Sequence, residues 1–237
     1  RLQIKKEIVI IVHGFSSNKN RTSAKDMSSE LLKRSINSFR IDLNGCGESE
    51  GDFAEHTISK AAKDVDSAID HVKTLGYEKI SLFGSSAGGL TVMVSALNHP
   101  DIVRIGLKAH VSDYPNQRTE RLGAETIQKW KKDGYIDYKS YTGKVFRVNY
   151  DFFEDSKKHV MFDKVSKISC PVLIIHGDKD DMVKLEDSKR VIKGFPEGRL
   201  IVLKGADHGL AIDGDRTIGN NLFGRWFDGE VLNSSVI

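Results

Sequence analysis

Ile80-Ser81-Leu82-Phe83-Gly84-Ser85-Ser86-Ala87-Gly88-Gly89-Leu90 is a strand-like apolar run that breaks abruptly into Gly-x-Ser-x-Gly and resumes in Thr91-Val92-Met93-Val94-Ser95-Ala96-Leu97. The pattern predicts a strand, a tight turn and a helix, with Ser86 at the apex, the context that a nucleophile elbow requires. A serine held in a strained turn needs neighbours without side chains so that strand and helix can close around it. Gly84 and Gly88 occupy those places. Ser86 would then stand at the amino end of a helix, where the N–H of Ala87 is free and the helix dipole favours developing negative charge.

Outward from the elbow, strand and helix patterns alternate. Glu7-Ile8-Val9-Ile10-Ile11-Val12 is a β-branched run of the kind buried on both faces of a parallel sheet. It ends in the polar loop His13-Gly14-Phe15-Ser16-Ser17-Asn18, at the strand edge where open α/β sheets bind ligands. A helix is expected from about Ser23 to Arg34 and a strand over Ser38–Asp42. Gly45, Gly47 and Gly51 follow with a spacing that fits neither a dinucleotide nor a P-loop fingerprint, so this stretch is read as a structural loop. Thr57 can cap a helix whose apolar stripe runs through Ile58, Ala61, Ala62, Val65, Ala68, Ile69, Val72 and Leu75, with Gly76 ending it. Lys79–Phe83 feeds the elbow, the helix after Ser86 is expected to reach about Asn98, and Ile105–Ala109 reads as a further strand.

From about residue 112 to 166 that rhythm is lost. The stretch holds Tyr114, Trp130, Tyr135, Tyr138, Tyr141, Phe146, Tyr150, Phe152, Phe153 and Phe162, a large share of the aromatic residues. An insertion this long in a compact domain is usually functional. It is read as a cap over the active edge whose aromatics could wall an apolar pocket, although any single ring is better placed in the cap's own core. Alternation resumes with a strand at Pro171–His176, a helix over Leu185–Ile192, a strand at Leu200–Leu203 and a terminal helix over Thr217–Phe227. The expected fold class is α/β, a mostly parallel doubly wound sheet forming a single domain, 1–237, with a short cap insertion at about 112–166.

Composition narrows the function. The formal charge of +3, from 36 Lys and Arg against 33 Asp and Glu, comes without a basic block, which argues against a nucleic-acid partner. No apolar run approaches the ~18 residues of a membrane span. There is no signal segment, and Cys46 and Cys170 make no disulfide framework, so a reducing cytoplasmic location is expected. A homodimer is left open.

A serine hydroxyl becomes a strong nucleophile when a base takes its proton and a carboxylate orients that base. His208 lies in the loop Gly205-Ala206-Asp207-His208-Gly209, and Asp178, Asp180 and Asp181 lie in the loop after the preceding strand. Ser86, Asp180, His208 is the chain order of an α/β-hydrolase triad. Asp207 is read as a surface carboxylate, and His13 and His176 as hydrogen-bonded structural groups. His56, His71, His99, His110 and His159 receive no catalytic role, and no spacing of His, Cys or Asp suggests zinc ligation. No metal and no cofactor are expected.

The chain resembles a serine α/β-hydrolase over nearly its whole length. The resemblance is carried by His13-Gly14-Phe15, by Asp42-Leu43-Asn44-Gly45-Cys46-Gly47-Glu48-Ser49, by the elbow, by His176-Gly177-Asp178-Lys179-Asp180 and by Asp207-His208-Gly209. Within the superfamily it is most similar to cinnamoyl or feruloyl esterases and to the serine aminopeptidase and monoacylglycerol lipase group. It departs from many relatives at Cys46, where they carry His. The resemblance implies Asp180 as the acid and the N–H groups of Phe15 and Ala87 as the oxyanion hole. The family's leading strand pair is not legible before Lys6, and residue 1 is not Met, which implies a trimmed chain. The expected activity is hydrolysis of small to medium esters, with an aromatic acyl group such as a hydroxycinnamoyl as the favoured substrate. A serine aminopeptidase or amidase, or a monoacylglycerol lipase or thioesterase with the same triad, is the alternative.

Overall fold

The computed structural model describes residues 6–140, 142–212, 214 and 216–237. The Leu2/Ile4 segment and Tyr141 lie outside the described residues. The chain alternates β1 (Glu7–Val12), α1 (Thr22–Lys33), β2 (Asn37–Ile41), α2 (Ile58–Thr74), β3 (Lys79–Ser85), α3 (Ala87–Ala96) and β4 (Ile105–Lys108). An inserted segment follows, with α4 (Tyr114–Leu122), α5 (Ala124–Asp133), β5 (Tyr135–Lys139), β6 (Val145–Asn149) and α6 (Asp151–Ser156). The chain then completes β7 (Val172–Gly177), α7 (Leu185–Val191), β8 (Gly198–Leu203), α8 (Thr217–Phe227) and β9 (Ser235–Val236).

Seven strands form one sheet in the order β2-β1-β3-β4-β7-β8-β9, with every pair parallel. This is the α/β-hydrolase arrangement. The β-branched run of β1 serves both faces, as period-two alternation requires. Ile8, Ile10 and Val12 pack with α2 and α3, while Val9 and Ile11 pack with Met27 and Leu31 of α1 and with Phe223 and Phe227 of α8.

The elements depart from the sequence expectation in three places. Leu75, expected on the apolar stripe of α2, is 61% exposed. The helix stops at Thr74, and Gly76 turns away at φ +85° with Gly76 N–H bonded to Lys73 O and Tyr77 N–H to Val72 O. In this Schellman ending Tyr77, rather than Leu75, returns to the core. The segment between β4 and β7, expected to lose the regular rhythm, contains three helices and an antiparallel hairpin. Asp113 caps α4 by accepting from Asn116 N–H at 3.0 Å, with Pro115 in its first turn. β9 was not anticipated, since two residues carry no periodicity.

Tyr114, Trp130, Phe152 and Phe153 of the inserted segment are buried, and Tyr138, Phe146, Tyr150 and Phe162 pack against the same core while partly exposed. Trp130 packs on Tyr150 and Phe153 and donates Nε1–H to Val148 O at 2.9 Å, joining α5 to β6. Tyr114 and Phe152 are buried in the same hydrophobic cluster as the α2/α3 face of the sheet. Asp155 fixes the segment to α2, accepting from Ser59 N–H at 2.8 Å and Ser59 Oγ–H at 2.6 Å.

At the elbow, a Cβ on Gly84 would lie 2.4 Å from Gly88 O, and one on Gly88 would lie 2.4 Å from His13 O and 2.6 Å from Val12 O. These neighbours are backbone and cannot step aside. Gly88→Ala is therefore expected to destabilise the fold by about 3 kcal/mol or more, whereas Gly76→Ala, with open space around it and only its φ to strain, costs about 1 kcal/mol. Urea unfolding of the two variants checks this, and equal losses would contradict it.

Candidate active site

Ser86 sits between β3 and α3 with φ 55° and ψ −124°, a backbone conformation that costs a non-glycine residue of order 1–3 kcal/mol. The surroundings hold it there: Ser86 N–H donates to Lys108 O at 2.9 Å, and Ser86 O accepts from Gly89 N–H at 2.9 Å and Val111 N–H at 3.2 Å. No hydrogen bond among the described residues engages Ser86 Oγ, which is half-buried. Gly14 lies against it, so close that a Cβ there would be 3.2 Å from Ser86 Cβ and 3.8 Å from Ser86 Oγ.

The loop after β1 is aimed by a histidine. His13 Nε2 accepts from Leu43 N–H at 3.2 Å, so its proton is on Nδ1, which donates to Gly14 O at 2.8 Å. Burial holds this imidazole below its ordinary pKa, against the opposing pulls of the Gly14 bond and the Asp42 charge. In a trans peptide the carbonyl and the next N–H point opposite ways. Fixing Gly14 O against His13 thereby turns Phe15 N–H to the other side. Neither Phe15 N–H nor Ala87 N–H, the first donor of α3, meets an acceptor among the described residues.

Asp180 and His208 are brought together from the loops after β7 and β8. His208 Nδ1 donates to Asp180 Oδ2 at 2.7 Å, which leaves Nε2 as the ring nitrogen not engaged by Asp180. Asp180 Oδ1 accepts from Met182 N–H at 2.8 Å and Val183 N–H at 2.9 Å. Its side chain is fully buried, which alone would raise its pKa. The bonds from His176 and His208, the His208 charge and the Val183 N–H outweigh burial and hold the carboxyl well below the usual range.

His176 is hydrogen-bonded on both ring nitrogens, as expected of a structural group, and one of its partners is Asp180. Its Nε2 stands 3.0 Å from both Asp180 Oδ2 and Val183 O, while Nδ1 meets Ser188 Oγ at 2.8 Å. Two acceptors at Nε2 place the proton there, so Asp180 Oδ2 faces two imidazole donors. The spacing His176-x-x-x-Asp180 was the available signal. Asp178 instead accepts from Gly205 N–H at 2.7 Å and Asp207 from Ala211 N–H at 3.0 Å, both as exposed loop ties. Asp42 spans the glycine loop, accepting from Lys19 N–H at 2.6 Å and Glu48 N–H at 2.9 Å, which agrees with a structural reading of that loop.

The family model described as serine aminopeptidase S33 matches residues 3–111. The mitochondrial palmitoyl-protein thioesterase ABHD10 of Mus musculus is 32% identical over 215 residues, covering 88% of this chain and 71% of that protein. The chain belongs to the serine α/β-hydrolase superfamily. The structure of ABHD10 from mouse superposes on this α/β-hydrolase with a TM-score of 0.80 at 27% identity, covering 96% of this chain and 90% of that one. Est1E from Butyrivibrio proteoclasticus with ferulic acid bound gives a TM-score of 0.79 at 26% identity, covering 94% and 86%.

Elsewhere on this hydrolase, a depression of about 710 Å³ is lined by Glu30, Arg34, Asn221 and Arg225 among others, between α1 and α8. It shares no residue with the loops of Ser86, Asp180 and His208, and its charges are paired within it or at its edge, Glu30 with Lys33 and Arg34, Arg225 with Glu230. Among the described residues no group of three or more His, Cys, Asp or Glu is placed to hold a metal ion, and no helix is long and apolar enough to cross a membrane.

His56, stacked on Phe53 at an 8° interplanar angle, has no partner for Nδ1 among the described residues and is held down to about 4 by burial. Its folded pKa lies below its unfolded one, so stability is full above ~6.5 and falls as pH drops towards 4, by about 2 kcal/mol at ~pH 5. His56→Phe is expected to flatten that part of the pH dependence in urea unfolding. An unchanged slope would contradict this.

Proposed function

We propose that the protein hydrolyses carboxylic esters or thioesters through an acyl-enzyme. Ser86 is the nucleophile, His208 the general base and acid, and Asp180 the orienting carboxylate, with the N–H groups of Phe15 and Ala87 receiving the oxyanion. The observation that carries this reading is the 2.7 Å His208–Asp180 pair, together with a serine at positive φ beside Gly14.

In the proposed cycle His208 Nε2 takes the Ser86 proton as Oγ attacks the acyl carbonyl. The new negative charge falls between two backbone donors that need no reorganisation. Asp180 holds the Nδ1 tautomer and stabilises the imidazolium without itself taking the proton. Collapse returns that proton to the leaving alkoxide or thiolate, and water repeats the sequence to free the acid. An ionised Asp180 suits this role, since its depressed pKa keeps it charged through the acid range.

Two acyl classes have support. The part-exposed rings of Phe15 and Tyr138, 5.1 Å apart between centroids and backed by the buried Phe53 and Phe152, favour an apolar or aromatic acyl group. The ferulic acid bound to Est1E is in line with an aromatic acid, and the name of the ABHD10 relatives with a long-chain thioester. The aminopeptidase alternative needs a carboxylate available for a free amino terminus. Of its candidates, Glu120 is tied to Lys184, Glu154 to Lys157 and Asp155 to Ser59, which leaves Glu125, exposed in the first turn of α5.

The testing experiment compares rates on methyl ferulate, short and long nitrophenyl esters, an acyl thioester and an aminoacyl nitroanilide, with Ser86→Ala as the blank. Ser86→Ala and His208→Ala are each expected to lower turnover by about 10⁵–10⁶, and Asp180→Asn by about 10⁴. Ester hydrolysis that survives Ser86→Ala, or a Ser86 that resists a fluorophosphonate, would overturn the assignment.

A further inference from the structure

Arg118, on α4, is built into the aromatic wall beside Phe15. Its guanidinium carbon lies 5.1 Å from the centroid of Phe15, 4.8 Å from that of Tyr114 and 5.2 Å from that of Tyr138. One Nη donates to Tyr114 Oη. Among the described residues no carboxylate lies within ion-pair reach of it. The nearby acids are engaged elsewhere: Asp113 caps α4 through Asn116 N–H at 3.0 Å, and Glu120 pairs with Lys184 at 2.8 Å.

This arrangement has a floor and a rim. Tyr114 and Phe152 are buried, whereas Phe15, Tyr138 and Arg118 are each part-exposed. Three rings attract the cation through their faces and strip part of its hydration. They offer no negative charge. A guanidinium presents five donors in a fixed fork, and Tyr114 takes one. The remaining donors suit a planar carboxylate, which a pre-stacked guanidinium binds with little further ordering.

We propose that Arg118 forms an anion subsite in the acyl pocket, and that the preferred acyl groups carry a carboxylate at the end remote from the reacting carbonyl. The substrates are then half-esters or half-thioesters of dicarboxylic acids. This rests on the reading of Ser86 as the nucleophile of an acyl hydrolase. The apolar middle of such an acyl chain lies against Phe15 and Tyr138, and its far carboxylate meets Arg118. The same stack ties substrate recognition to the loop bearing the Phe15 N–H.

The test compares kcat/KM on mono-nitrophenyl adipate and nitrophenyl hexanoate, which share a chain length and differ in the terminal carboxylate. The wild-type protein is expected to favour the adipate, and Arg118→Met to lower the adipate-to-hexanoate ratio by about tenfold or more. Arg118→Lys, which keeps the charge without the planar fork, should fall between and serves if Arg118→Met does not fold. A ratio that moves by less than about twofold in both variants overturns the proposal and leaves Arg118 as a strut between α4 and Phe15. Should neither ester be hydrolysed, the acyl-hydrolase reading has failed, and the subsite is read without turnover. In Ser86→Ala protein, calorimetric titration should then show monomethyl adipate binding more tightly than methyl hexanoate, with the preference lost on adding Arg118→Met. Equal binding of the two overturns the subsite.

Discussion

The site depends on how closely α3 approaches the end of β1. With hydrogen atoms alone at Gly84 and Gly88, the first turn of α3 settles onto the carbonyls of Val12 and His13. That contact has two consequences at once. It bends the chain so sharply that Ser86 must take φ 55°, and it sets the loop after β1 directly beside the serine. The strain is offset by the backbone bonds of Ser86 to Lys108, Gly89 and Val111 and by the packing of α3 against α2 and the sheet. An elbow with larger residues would relax the serine and separate it from Phe15 N–H.

Histidines beneath this strand edge act as props for the loops above them. His13 turns the Gly14 peptide, and His176 supplies Asp180 with a second donor. His110, buried and held down to about 3 by burial and by His176, offers Nε2 to Ser112 at 3.0 Å. A neutral ring costs far less to bury than an ammonium or guanidinium and still fixes a direction through each nitrogen. The arrangement leaves Asp180 as the buried charge of the acid loop, with two backbone and two imidazole donors around it. Negative charge is concentrated where an imidazolium on His208 would form.

Much of this was legible because it rests on local constraints. The Gly-x-Ser-x-Gly break, the β-branched β1, and His208 and Asp180 placed after successive strands all follow from residue type and spacing. The rest is of two kinds, local signals that a competing pattern hides and contacts between distant segments. Leu75 fits the helical period of α2, yet the Schellman ending decides that Tyr77 packs instead. The capping signal Asp113-Tyr114-Pro115 and the alternation Tyr135-Ile136-Asp137-Tyr138-Lys139 were present, but a dense run of aromatics masked both periods. For Arg118 no signal existed. An arginine four residues after a tyrosine on an amphipathic helix is ordinary, and only the approach of Phe15 from the first loop and Tyr138 from the hairpin makes it distinct.

These long-range contacts converge on α4. One of its faces holds Tyr114 and Arg118 against Phe15, whose N–H belongs to the loop beside Ser86. Another reaches the acid loop, where Gln117 Nε2 donates to Met182 O at 2.8 Å, Arg121 meets the same carbonyl at 3.4 Å and Glu120 pairs with Lys184. Met182 is also a backbone donor to Asp180. A single nine-residue helix thus touches both the loop aimed by His13 and the loop that orients His208. The exposed ion pair contributes little by itself, so the helix is held chiefly by its buried tyrosine and its cap. A ligand that engages Arg118 would therefore meet the helix that also braces the acid loop, without any contact of its own to Asp180.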